Sequence, residues 1–248
     1  MPENMNWQLD KNKYEIITLG YNCYTRSFLA RSNYIQTKEQ ERLSLPFDLC
    51  TSNIKGITDL LKNNFCDFFN DIIFDEELNI YRNKKYGIVF WHDNDLDSFE
   101  QFKQRYDNRI KNFRKIMSND KIKYFIRLLG TETDSSQIIE LYNCILNINP
   151  NNKLIIINYD PHKSYKLPNS NNLLYICKKY PFKNYDQIWY KDEYFLTQKH
   201  IKLMNSVIKE IDKFINIGNK HASSNIIRRF WNKISTYCTR CAKANGEN

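Results

Sequence analysis

Long apolar runs are missing from this chain, which nowhere offers the roughly 18 consecutive apolar residues that a membrane-spanning helix needs. The opening stretch MPENMNWQLDKNKYE carries charges where a secretory signal needs an apolar segment, so a soluble chain made in the cytosol is expected. Glycine is scarce, six in 248 residues. With it go GxGxxG, GxxxxGK[ST] and GxSxG, which excludes the glycine-built phosphate cradles and the serine nucleophile elbow. The seven cysteines (23, 50, 66, 144, 177, 238 and 241) are odd in number and irregular in spacing, in a chain too long to need disulfide staples. They read as reduced thiols. Cys238 and Cys241 have CxxC spacing, but no second CxxC or histidine pair follows and no βαβ pattern surrounds them, so neither a zinc nor a redox motif is supported. No cofactor is indicated.

What the chain does have is material for a core: 42% of residues are hydrophobic and 15% aromatic, enough to fold without help. The net charge of +9 comes from lysines scattered among over-used Asn and Ile, so it is weak ground for a nucleic-acid partner. A membrane surface enters only through the tail. Residues 1–217 read as a single domain, and 218–248 as a basic C-terminal tail with a possible short amphipathic helix over Ile226–Tyr237. The oligomeric state is not encoded.

Apolar periodicity predicts strands at Tyr14–Leu19, Tyr86–Trp91, Tyr124–Gly130, Leu154–Asn158 and Leu173–Cys177. Helices are predicted at Tyr24–Ala30, Ile54–Phe69, Leu96–Met117, Ser135–Leu146 and Thr197–Ile215. Such alternation argues for an α/β layered domain with a mostly parallel central sheet flanked by helices. Ligands of open parallel sheets bind beyond the carboxyl ends of the strands. Three loops therefore matter: Gly20 to Cys23, His92 to Asp95 and Arg127 to Asp134.

Cys23 falls near the first turn of a helix, where free N–H groups and the positive dipole end favour a thiolate. It could equally be a small residue filling a strand-to-helix corner. The same corner, with Gly20 and Asn22, could hold an oxyanion or a phosphate. His92, one of four histidines, sits in WHDND beside Asp93 and Asp95 and could accept a thiol proton, cap a helix, or join a hard-cation site that these residues do not specify. Arg109 and Arg127 read either as anion anchors or as structural partners of a carboxylate such as Asp48.

Taken in order, LGYNC, LPFD, NNFCDFF, YGIVFWHD, RYDNRIKNF and YFIR resemble a family described as putative papain-like cysteine peptidases, over about residues 14–160. The resemblance implies Cys23 as nucleophile, His92 as general base and Asp48 or Asp93 as the orienting acid. Asn22 and the backbone N–H of Cys23 or Tyr24 would form the oxyanion hole. It also implies an alternative fold, papain-like α+β, with the cysteine on a long helix and the histidine on an antiparallel sheet. A cysteine-dependent hydrolase acting on a peptide or amide through a Cys-His dyad is the resulting expectation. Its rival is a non-catalytic or transferase-type α/β domain holding a phosphate or nucleotide-sugar at the Gly20–Cys23 loop, with Arg109 and Arg127. A scaffold that uses the basic tail is a third class.

Overall fold

The computed structural model describes residues 14–32, 34–35, 43–130, 132–181 and 197–216. In chain order the elements are β1 (Tyr14–Thr18), α1 (Tyr24–Arg31), β2 (Thr51–Ser52), α2 (Ile54–Lys62), β3 (Ile72–Asp75), β4 (Ile80–Asn83), β5 (Ile88–Phe90), α3 (Phe99–Met117), β6 (Ile122–Leu128), α4 (Ser135–Ile148), β7 (Lys153–Asn158) and β8 (Leu173–Cys177). The chain divides into two units, 1–208 and 209–248. All of these elements lie in the first, together with helical residues 198–208; in the second, residues 209–216 are helical. The expected tail over 218–248 lies outside the described residues.

One sheet is parallel throughout, in the order β1-β6-β7-β8. The reason is legible in β7: Ile155, Ile156 and Ile157 are successive residues whose side chains alternate between faces, and all three are buried. Both faces must therefore be covered, which is the condition for a parallel sheet. Helix α4 packs against β7 and α2, and α1 against β6. Asp134 starts α4 with a full capping box, its carboxylate accepting from Gln137 N while the Gln137 side chain accepts from Asp134 N. The α/β class is as expected.

The second sheet is antiparallel, in the order β2-β5-β4-β3. The strand expected at 86–91 belongs here, as Ile88–Phe90, and not to the parallel set. Chain length decides this, since only residues 84–87 join β4 to β5 and a parallel crossover needs a dozen or more. Strands this short carry too little alternation to betray themselves, and β2, β3 and β4 go unpredicted for that reason.

Two helix boundaries also move. Helix α2 stops at Lys62 instead of running to Phe69, because Asn64 and Phe65 take left-handed backbone conformations, at φ 52° and 62°. Phe65 is held there by its burial against Phe47 and Phe113, ring centroids 5.6 and 5.2 Å away. Helix α3 starts at Phe99 because Ser98 Oγ caps it, accepting from Gln101 N at 3.2 Å. One continuous core joins the sheets, with Phe125 and Ile156 from the first, Phe90 from the second, and Phe102 and Tyr106 from α3.

Candidate active site

The backbone leaving β1 is pinned on one side. Leu19 N continues the ladder to Ile126 O at 2.9 Å, and Ser52 N donates to Tyr21 O at 3.2 Å. Ser52 Oγ and Arg127 Nη1 both donate to Gly20 O. A Cβ on Gly20 would run into the carbonyl oxygens of Phe47 and Cys50, so glycine is the only residue that lets the LGYNC and LPFD segments meet this closely. Cys23 then stands at the N-cap of α1, half-buried, with its carbonyl accepting from Ser27 N and Ser27 Oγ.

Beside it, Asn22 is buried and its Oδ1 has no hydrogen-bond partner. The Thr25 hydroxyl, in the first turn of α1, is likewise buried without one. No oxygen among the described residues accepts from the N–H of Asn22 or Cys23. Polar groups left open in a buried corner cost about 1–3 kcal/mol each unless something fills the role of partner. Burial pushes the Cys23 thiol up, and its own backbone amide opposes that only in part. Burial therefore works against the thiolate that the helix N-terminus would favour.

His92 follows β5 and is exposed. Among the described residues it has no hydrogen-bond or ion-pair partner, so neither Cys23 nor Asp93 contacts it in this way. Asp93 points the other way: fully buried, it accepts from Arg105 Nη1 at 2.9 Å and Tyr106 OH at 2.7 Å, with Arg109 Nη2 at 3.5 Å. As placed, it anchors the loop to α3 and does not orient the imidazole. Asp95 clamps Arg105 with both oxygens at 2.8 Å, which pulls its carboxyl below the usual range. Asp48 is also buried, accepting from Thr18 Oγ1 and from Leu45 N at 2.9 Å, with Arg26 Nε at 3.3 Å.

The two arginines, read either as anion anchors or as structural partners, are engaged inside the protein. Arg109 donates from Nη1 to Tyr106 OH at 2.7 Å and lies over that ring. Arg127, 1% exposed, places Nη1 2.6 Å from Leu19 O and 2.9 Å from Ser52 Oγ, and Nη2 2.6 Å from Ser52 O. Cys50 lies in the field of both arginines and of Asp48 and Asp93, yet its burial pushes it up to about 12. It is an inert thiol.

Sequence reasoning missed Thr51 and Ser52, which precede the helix predicted from Ile54. Asn53 is the cap, accepting from Gly56 N at 2.6 Å, and the two residues before it form β2. Ser52 holds the cysteine loop, while Thr51 Oγ1 accepts from Nε1 of Trp91, the residue before His92, at 3.0 Å. Both loops thus rest on successive residues of one strand. His200 was missed as well. It is buried, with Nε2 3.3 Å from Tyr24 OH and Nδ1 3.2 Å from Tyr180 OH, and burial lowers it to about 4. It backs α1 at the residue next to Cys23, and a histidine within a helical stripe gives no sign of that in the sequence.

By its architecture this is an α/β protein, a parallel sheet joined to a smaller antiparallel one. No helix among the described residues is long and apolar enough to cross a membrane. The chain belongs to the family described as putative papain-like cysteine peptidase (DUF1796), whose sequence model matches residues 14–158. That span starts at β1 and ends with β7, and so includes both loops. Comparison with curated proteins gives no match, and neither does comparison with solved structures.

Proposed function

We propose that the protein is a cysteine-dependent hydrolase of a peptide or amide substrate, with Cys23 as nucleophile and His92 as general base. The observation that carries the reading is the Cys23 corner itself, a half-buried thiol at a helix N-terminus beside two backbone amides that donate to no oxygen among the described residues, and beside the unpartnered Asn22 amide oxygen. An open acceptor next to a nucleophile suits a substrate N–H, and open amides suit the oxyanion of a tetrahedral intermediate. Family membership favours the same chemistry.

Because burial pushes the Cys23 thiol up, deprotonation accompanies attack. The Cys23 proton passes to His92 as sulfur bonds to the carbonyl carbon. The imidazolium then protonates the departing amine as the C–N bond breaks. Water, deprotonated by the same imidazole, releases the acid from the thioester. His92 lies on an exposed turn and makes no hydrogen bond or ion pair among the described residues, which leaves its imidazole unengaged. The rival phosphate or nucleotide-sugar reading loses the support it drew from Arg109 and Arg127, whose contacts lie within the protein.

Alkylation by iodoacetamide, followed by mass spectrometry from pH 5 to 10, tests the proposal. Burial alone predicts that Cys23 reacts more slowly than the exposed Cys66 and Cys177. With His92 as base, Cys23 reacts faster than both near neutral pH, and His92→Ala removes that advantage. A Cys23 slower than both at every pH below about 8.5, the free thiol range, sinks the reading.

A further inference from the structure

We propose that Arg127 is a positioning residue: its guanidinium turns the carbonyls of the β1 exit to one side, so that the N–H groups of Gly20 and Tyr21, and with the help of Ser52 that of Asn22, face the other on the approach to Cys23. The inference rests on the proposed role of Cys23. Within a planar trans peptide the C=O of one residue and the N–H of the next point in opposite directions. Fixing the Leu19 and Gly20 carbonyls therefore fixes the amides of Gly20 and Tyr21, and fixing the Tyr21 carbonyl fixes the amide of Asn22. Arg127 Nη1 reaches the first two carbonyls, and Ser52 N holds the third. Three successive peptide units are so held ahead of the helix.

The fork is what makes one side chain sufficient. Nη2 goes to Ser52 O at 2.6 Å while Nη1 serves Leu19, Gly20 and Ser52 Oγ, so a single group ties the exit of the parallel sheet to the first strand of the antiparallel one. Register puts it there: Ile126 pairs with Thr18, the last residue of β1, and Arg127 is one step beyond. Lysine keeps the charge but presents one nitrogen and cannot span both sets of acceptors. The contacts also gather three of the sequence motifs on one turn: YFIR supplies the guanidinium, LPFD the Phe47 carbonyl that excludes a side chain at position 20, and LGYNC the turn itself.

Arg127→Lys and Ser52→Ala in the full chain test the proposal with two readouts, hydrogen exchange at the Ser52 and Leu19 amides and the pH profile of iodoacetamide labelling at Cys23. In folded Arg127→Lys, the Ser52 amide should exchange about tenfold faster, the equivalent of one lost hydrogen bond. Labelling of Cys23 near neutral pH should fall by about the same factor, while Cys66 and Cys177 are unaffected. Ser52→Ala should shift both readouts in the same direction by less, and covers the case in which the lysine variant does not fold. Unchanged exchange, or an unchanged Cys23 profile in a parent that labels Cys23 selectively, overturns the positioning role. Faster exchange in a protein whose parent Cys23 has no advantage over Cys66 and Cys177 upholds the positioning of the turn and overturns the nucleophile reading instead.

Discussion

The loop that leaves β1 and the loop that leaves β5 rest on neighbouring residues of the same short strand, yet they are held in opposite ways. The first is fixed through its backbone: Gly20 packs against a neighbouring carbonyl, three successive carbonyls are bound, and Cys23 is set into the start of α1. The second is fixed through a side chain, the buried Asp93 on α3, while its histidine stays in solvent. A nucleophile must sit where its amides already converge, so its backbone has to be rigid. A base that picks up a proton only on attack can be mobile, provided its loop is tethered nearby.

The largest expected effect breaks the second tether. Asp93→Ala leaves Arg109 buried without its carboxylate, and removal of one member of a buried pair costs about 3–5 kcal/mol. Urea unfolding should register it, and a loss below about 1 kcal/mol would mean that the loop is held otherwise.

Next comes acid sensitivity behind the first loop. His200 titrates at about 4 when folded against 6.5 in its ordinary state, so between these values the unfolded chain binds more protons and stability rises with pH. The contribution is complete above about pH 6.5 and is lost as pH falls toward 4, at most about 3.5 kcal/mol for about 2.5 pH units at about 1.4 per unit. His200→Gln should therefore melt with a shallower dependence on pH over this window than the parent. Parallel curves would refute the assignment.

The last pair sets the two loops against each other directly. Ser52→Ala strips a buried hydroxyl from Gly20 O and Arg127, for about 1–2 kcal/mol, whereas Thr51→Val removes a half-exposed bond to Trp91, for less than about 1 kcal/mol. Equal losses in thermal melts would remove the contrast between a buried and an exposed anchor.

Much of the parallel half was legible in the chain. YEIIT, LIIIN and LLYIC are apolar runs that only a covered sheet accommodates, and Leu173–Cys177 forms over the residues predicted for it. The antiparallel half was not, since strands of two to four residues carry no readable period. Of the candidate site, the position of Cys23 at the start of α1 was legible from its place after a glycine-ended strand. Asp93, Arg109 and Arg127 are all engaged within the protein, the structural alternative for the two arginines, and the chain could not show this for a common reason. A charged residue in a string of letters looks available, and whether it is already taken depends on partners such as Tyr106 and Ser52 that are distant in sequence.

The chain alone determined that a thiol would follow a tight turn into a helix, because β-branched residues, one glycine and an apolar period are local instructions. Tertiary structure decided how far that thiol is desolvated and which carbonyls of the turn are bound. Desolvation is a property of everything packed around Cys23, and the facing of the amides is set by carbonyl contacts to Arg127 and Ser52, which reach the turn only when both sheets have formed.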